Sequence, residues 1–194
     1  MYEYIVGKLE EVTPTSAIVE SSGVGYYINI SLQTYSAIDG KKEIKLFLHQ
    51  VVREDAHLLY GFATIAEREL FRLLISVSGV GANTARLILS SLSVPEIQTA
   101  IATENINLIK QVKGIGLKTA QRIIVDLKDK VTAVSGFSSE IVGGVNNTSK
   151  QEALSALVML GFAKVAAEKV LDQVIKSEGN LPVEGLIKMS LKRL

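Results

Sequence analysis

The residues of this chain that could do chemistry are glycines and cations in an arrangement that occurs in duplicate. Gly114-Ile115-Gly116 is preceded by Lys113 and followed by Lys118, Thr119 and Arg122, where a periodic apolar run begins (Ala120, Ile123, Ile124, Leu127). Thirty-five positions earlier, Gly79-Val80-Gly81 is followed by Asn83 and Thr84, and Leu74–Leu92 lies over Ile109–Leu127 without a gap. A helix that opens just after a Gly-apolar-Gly turn presents unpaired backbone N–H groups and the positive end of its dipole. Glycine lets an anion come close to that backbone. Phosphate is the guest this chemistry suits.

Each half resembles the helix-hairpin-helix motif, which donates backbone amides to nucleic-acid phosphates without reading bases. A Gly-apolar-Gly turn can also be a packing device between two helices, but two copies in register weigh against that reading. Gly116-Leu117-Lys118-Thr119 has the Lys-Thr ending of a nucleotide-binding P-loop, yet Leu117 stands where that loop needs glycine immediately before lysine, so no ATPase is expected. The conspicuous acidic pair is Glu54-Asp55, in Gln50–His57 between two β-rich runs; by spacing alone it reads as a solvated hairpin tip. His49 and His57 lie eight apart with no cysteine near them, so no metal site is expected. No catalytic residue and no cofactor are assigned.

These residues must be held by the elements around them. Residues 1–63 contain β-rich runs at Tyr4–Leu9, Ser16–Glu20, Val24–Ile30, Ile44–Leu48 and Leu58–Phe62, a spacing that predicts a small closed barrel of the OB type, with a generic β-sandwich fragment as the alternative. Residues 64–131 read as helical: Ala66–Val77, Val94–Thr103 with Pro95 near its start, Asn105–Val112 feeding the second turn, and Lys118–Lys130, whose Arg122, Asp126 and Lys130 predict a solvated ion-paired face or, alternatively, a protein-contact face. Residues 132–149 are rich in Ser, Gly, Asn and Thr and read as a flexible linker. Residues 150–194 predict three helices, the first opened by a capping box at Ser149–Glu152. They resemble the ubiquitin-associated bundle, with Leu160-Gly161-Phe162 either as an exposed apolar loop for a partner or with Leu160 and Phe162 simply as core. The fold class expected is α+β and multidomain: barrel, tandem helix-hairpin-helix domain, linker, three-helix bundle.

The 194 residues are 47% apolar, enough for packed cores, and contain no cysteine, as in a reducing cytoplasm. Nothing at the N-terminus reads as a secretion signal, and the longest largely apolar stretch, Ala153–Ala163, is too short to cross a bilayer; a soluble, cytoplasmic protein is expected. The net charge of +1 conceals a division: −3 over residues 1–63, +3 over 64–131 and +1 over 132–194. The positive excess falls where the hairpins are, as nucleic-acid binding requires.

Taken together these parts resemble the RuvA family, the Holliday-junction recognition subunits of the bacterial branch-migration machinery. The resemblance covers essentially the whole chain, and its most specific string is Val51-Val52-Arg53-Glu54-Asp55-Ala56 followed by Leu58-Leu59-Tyr60-Gly61-Phe62. It implies that Glu54 and Asp55 form an acidic pin at the centre of a four-fold symmetric tetramer. It further implies that the tetramer, or two tetramers as an octamer, holds an open four-way DNA junction in recombination and repair. Residues 150–194, through Leu160, Gly161 and Phe162, would recruit the hexameric RuvB ATPase, and the RuvC resolvase would cleave the junction later. The chain departs from the family at Ala82-Asn83, where Pro-Lys is frequent, and at Lys113, where proline is common. A nuclease or repair enzyme that uses the hairpins as its grip is the alternative; it would need clustered carboxylates for metal ions or a lysine nucleophile beside them.

Overall fold

The computed structural model describes residues 2–135, 145–179 and 181–194. The chain divides into two compact units, Met1–Ser139 and Glu140–Leu194.

The first unit opens with a closed barrel of five strands, β1 (Tyr4–Thr13), β2 (Ser16–Ser21), β3 (Val24–Ile30), β4 (Glu43–Val52) and β5 (His57–Phe62), in the order β1-β2-β3-β5-β4. All pairings are antiparallel except β3 with β5, where Ile28 faces Leu59. A parallel pair needs a crossover, and the excursion through α1 (Leu32–Ile38) and β4 supplies it. Alternation along β4 sends Ile44, Leu46 and Leu48 inward against Ile5, Val19, Ile28 and Ile30. The barrel is wound tightly enough that a Cβ on Gly7 would lie 2.1 Å from the Glu20 carbonyl oxygen. The helix α1 carries no strong periodicity in the sequence; it is fixed by its N-cap, Ser31, whose hydroxyl accepts from the Thr34 N–H.

Helices α2 (Ile65–Ile75), α3 (Ala82–Ser91), α4 (Val94–Ala102), α5 (Ile106–Lys110) and α6 (Leu117–Ser135) follow. Their core, including Leu74, Ile88, Leu89, Ile97, Ile109, Ile123 and Leu127, is continuous with Tyr60 and Phe62 of β5. The Phe71 ring lies 5.2 Å from Tyr60 and 4.9 Å from Phe62. Polar ties complete the junction. Ser31 and Thr34 both donate to the buried Glu67 carboxylate, the latter at 2.8 Å. Arg68, also buried, donates to the Glu3 carbonyl at 3.0 Å and pairs with its carboxylate at 2.5 Å. Arg86 reaches the Thr15 carbonyl at 2.9 Å. Barrel and helices therefore share one packed body, whose first and second parts the sequence divides near residue 63.

The second unit packs α7 (Val145–Met159), α8 (Lys164–Glu178) and α9 (Val183–Leu191) around Ala153, Leu157, Ala167, Leu171, Val174 and Leu186. Gly161, at φ +100°, ends α7: the Phe162 N–H bonds the Leu157 carbonyl and the Gly161 N–H that of Val158, the Schellman pattern of bonds. Helix occupies both ends of the stretch 132–149 read as linker, since α6 runs to Ser135 and α7 starts at Val145; its middle, 136–144, lies outside the described residues. The capping box expected at Ser149–Glu152 is corrected accordingly, because Ser149 lies inside α7. Once the turn around Ala153 is nucleated, each residue added N-terminally gains a hydrogen bond at small cost, and a polar composition does not stop it.

Candidate nucleic-acid interface

The two turns agree bond for bond. Val77 and Val112 donate to Leu74 and Ile109, Val80 and Ile115 donate to Val77 and Val112, and Ala85 and Ala120 donate to Gly81 and Gly116. Gly79 has φ +90° and Gly114 φ +89°, a left-handed conformation that glycine adopts without penalty. Val80 and Ile115 are buried and anchor each turn in the helical core, while the flanking glycines are exposed.

The second glycine of each turn is the informative one. Gly81 has φ −82° and ψ 168°, which any residue adopts, and Gly116 also lies outside the left-handed region. A Cβ placed on either would meet no atom within 4 Å. Neither backbone strain nor internal packing explains glycine there, which argues against the packing-device reading. Close approach by something outside the protein does explain it. No side chain caps α3 at Gly81, and the first helical bonds are made by Ala85 and Ala120. Helix geometry thus leaves the N–H groups of residues 82–84 and 117–119 without intrahelical partners, facing the open side of each turn.

The expected side chains surround these amides unequally. Lys113 and Lys118 are exposed, and neither is paired with a carboxylate among the described residues; Thr84 and Thr119 are half-buried at the helix starts. Asn83 is exposed, but its Oδ1 accepts a 3.3 Å hydrogen bond from the Tyr60 hydroxyl of β5. Arg122 is also exposed, and its Nη1 donates to the Ser78 carbonyl at 3.1 Å. This bond corrects the ion-paired face expected along α6: Arg122 turns to the first hairpin, because a guanidinium placed one turn into α6 faces the end of α2. Lys110, exposed in the last turn of α5, adds a cation that the sequence reading passed over although it precedes Lys113 by three positions.

The acidic pair sits at the far end of the β4–β5 hairpin. Val52 faces His57, and the Arg53 N–H closes the turn on the Ala56 carbonyl at 2.8 Å. Glu54 and Asp55 project from that tip, exposed. In the second unit Leu160 is 61% exposed and Phe162 half-buried against the bundle core; Met159 and Val165, which sequence reading missed, extend the exposed apolar surface. Among the described residues no group of three or more His, Cys, Asp or Glu is placed to hold a metal ion, and no helix is long and apolar enough to cross a membrane.

Comparison with known proteins places this geometry. Residues 1–61 match the family model described as RuvA N terminal domain, 71–129 the SAM-like helix-hairpin-helix tandem, and 149–194 the RuvA C-terminal domain. The chain is 53% identical to a protein of Bacteroides fragilis and 51% identical to one of Christiangramia forsetii, each alignment covering the whole of both chains. A protein of Flavobacterium psychrophilum is 46% identical over the same full extent. All three are named Holliday junction branch migration complex subunit RuvA.

The chain belongs to the RuvA family.

Within that RuvA framework the helix-hairpin-helix match spans both glycine turns and the bracing Arg122, and the RuvA N-terminal match covers the hairpin that carries Glu54 and Asp55. The OB-type barrel, the hairpin domain and the helical C-terminal unit expected from the sequence are all present.

Proposed function

We propose that this chain is a non-catalytic subunit that binds four-way DNA junctions as a homotetramer, holds them open and targets the RuvB ATPase to them for branch migration, in the cytoplasm. The observation that carries the reading is the pair of turns whose second glycines, Gly81 and Gly116, have no internal reason to be glycine and stand beside helix starts, that of α3 without a side-chain cap. Phosphate backbones fit this geometry in any base sequence. Gly79, Gly81, Asn83, Thr84, Lys113, Gly114, Gly116, Lys118, Thr119 and Arg122 form the contact set. Residues 1–63 and 64–131 serve as the DNA-binding body, 132–149 as the connection, and 150–194 as the RuvB-docking domain through Leu160, Gly161 and Phe162. RuvC acts on the same junction afterwards.

Glu54 and Asp55 act by repulsion. Four subunits around a crossover would bring their exposed tips to the point where phosphate backbones converge. A like-charge contact at about 4 Å costs about 1 kcal/mol in water and about 4 kcal/mol at an effective dielectric near 20. That deflects strands without cancelling the many phosphate contacts of the hairpins. The test combines native mass spectrometry, with and without a synthetic four-way junction, and a side-by-side titration of junction and linear duplex at matched salt. A tetramer that prefers the junction, and a Glu54→Gln/Asp55→Asn variant that gains duplex affinity, are the expected results. A protein without junction preference sinks the reading.

A further inference from the structure

The side-chain amide of Asn83 stands at the repeat position occupied by Lys118 in the second hairpin, 35 residues later. An ammonium attracts phosphate in any orientation; an amide does so only with its nitrogen outward, since its oxygen repels an anion. Tyr60 decides between the two. Its ring is buried, 1% exposed and packed on Phe71, so its phenolic proton needs a protein acceptor, and the Asn83 Oδ1 at 3.3 Å supplies it. With the amide turned over, the phenolic proton would lose that acceptor. We propose that Tyr60, a barrel residue, is a positioning residue for the first hairpin: its hydroxyl holds the Asn83 oxygen inward and so aims Nδ2 outward, as a neutral donor to a DNA phosphate. Asn83 itself is exposed at the second residue of α3, beside the free N–H groups that follow Gly81, so donor and backbone amides converge on one anion.

This inference rests on the reading of the hairpins as phosphate sites, and its test separates the two. Junction affinity of the full chain is measured by fluorescence anisotropy with a labelled synthetic four-way junction at fixed salt. Tyr60→Phe and Asn83→Ala each weaken binding by about threefold to tenfold, and the double variant is no weaker than Asn83→Ala alone. In an Asn83→Lys background, Tyr60→Phe changes nothing, because the ammonium needs no orienting partner. Asn83→Asp keeps an acceptor for Tyr60 and turns the outer face negative, so it binds worse than Asn83→Ala; it tests the idea without touching the barrel core. Additive losses, or an equal loss from Tyr60→Phe in the Lys background, show that Tyr60 acts through the fold and overturn the inference. So does unchanged binding by Asn83→Ala while Lys118→Ala weakens it, which leaves the hairpin reading intact. If neither Asn83→Ala nor Lys118→Ala alters binding, both fall together.

Discussion

Laid over one another at an offset of 35 residues, the two hairpins agree in every turn hydrogen bond and differ in the side chains that face out of the turn. Where the first has Ser78 and Asn83, the second has Lys113 and Lys118. The second hairpin carries its own cations. The first carries no lysine or arginine between Arg72 and Arg86 and is held from two sides, by Tyr60 of the barrel and by Arg122 reaching across from α6. On the proposed reading, the backbone does the work common to both, and the side chains divide the rest, charge on one side and imposed geometry on the other. A turn without charge has to be placed accurately to contribute, whereas a charged turn tolerates some play, because Coulomb attraction falls off slowly with distance and a hydrogen bond does not.

The strongest challenge to this view is to separate the two glycines of each turn. Gly79→Ala and Gly114→Ala force a left-handed backbone on alanine, at about 1–2 kcal/mol each, and lower the thermal midpoint. Gly81→Ala with Gly116→Ala meets no internal clash and changes stability by no more than about 1 kcal/mol. That second pair should nonetheless lower junction affinity by about tenfold or more, since a methyl group then stands where a phosphate oxygen needs to approach. Equal affinity for wild type and the Gly81→Ala/Gly116→Ala protein would show that the openness of these turns serves nothing that the junction uses.

A smaller effect sharpens the division between charge and geometry. Binding to duplex arms should weaken with salt at about 0.9 units of log K per log salt for each phosphate neutralised. Lys118→Ala should make that slope shallower by about one unit, whereas Asn83→Ala, at the equivalent position, should lower affinity with the slope unchanged, because a neutral amide releases no counterion. Arg122→Lys lies between: the charge remains but the bond to the Ser78 carbonyl is lost, so the expected result is a loss of about twofold to fivefold with an unaltered slope. Undiminished affinity for Arg122→Lys would show that the bond to the Ser78 carbonyl braces nothing that the junction uses.

Much of this arrangement was legible in the chain itself, for reasons that also mark where legibility stopped. The repeat of Gly-apolar-Gly at a fixed offset survives because each turn needs the same φ at its first glycine and the same buried apolar residue at its centre, and both demands are local. Alternating apolar residues in Ile44–Leu48 reveal the barrel wall in the same way. Helix α1 escaped because seven residues hold less than two turns of periodicity, and its start depends on a single serine. The bonds that distinguish the hairpins were beyond reach: Tyr60 meets Asn83 across 23 positions and Arg122 meets Ser78 across 44, and neither pairing follows from spacing along the chain. Sequence placed Arg122 among the phosphate contacts because it is a cation at a helix start; only the folded geometry gives it a carbonyl to hold.

The last contrast is between the attachments of the two hairpins, and pH is the way to test it. Helix α2, which leads into the first turn, buries Glu67 against Ser31 and Thr34 of the barrel side, whereas α5 and α6, which flank the second, bury no charged side chain among the described residues. Burial pushes the Glu67 carboxyl above the ordinary glutamate value of 4.5, and the hydrogen bonds from Ser31, Thr34 and the Ala63 backbone counteract this only in part. A carboxyl raised in the folded state keeps its proton where the unfolded chain has lost it. Its contribution is therefore fully present below about 4.5 and is lost as pH rises through the folded value, above which it is constant. Glu67→Gln resembles the protonated carboxyl and cannot ionise. Denaturant unfolding of both proteins between about pH 4 and 8 should then give a wild-type stability that declines relative to the variant across this window and runs parallel to it above. Glu96 and Glu104, whose carboxyls are held below the usual value by Ser93 and Lys128, pull in the opposite direction but are common to both proteins and cancel in the difference. A difference that instead grows in favour of wild type with rising pH would mean that the two hydroxyls outweigh burial, and the first hairpin would then hang from an ionised carboxylate that they stabilise.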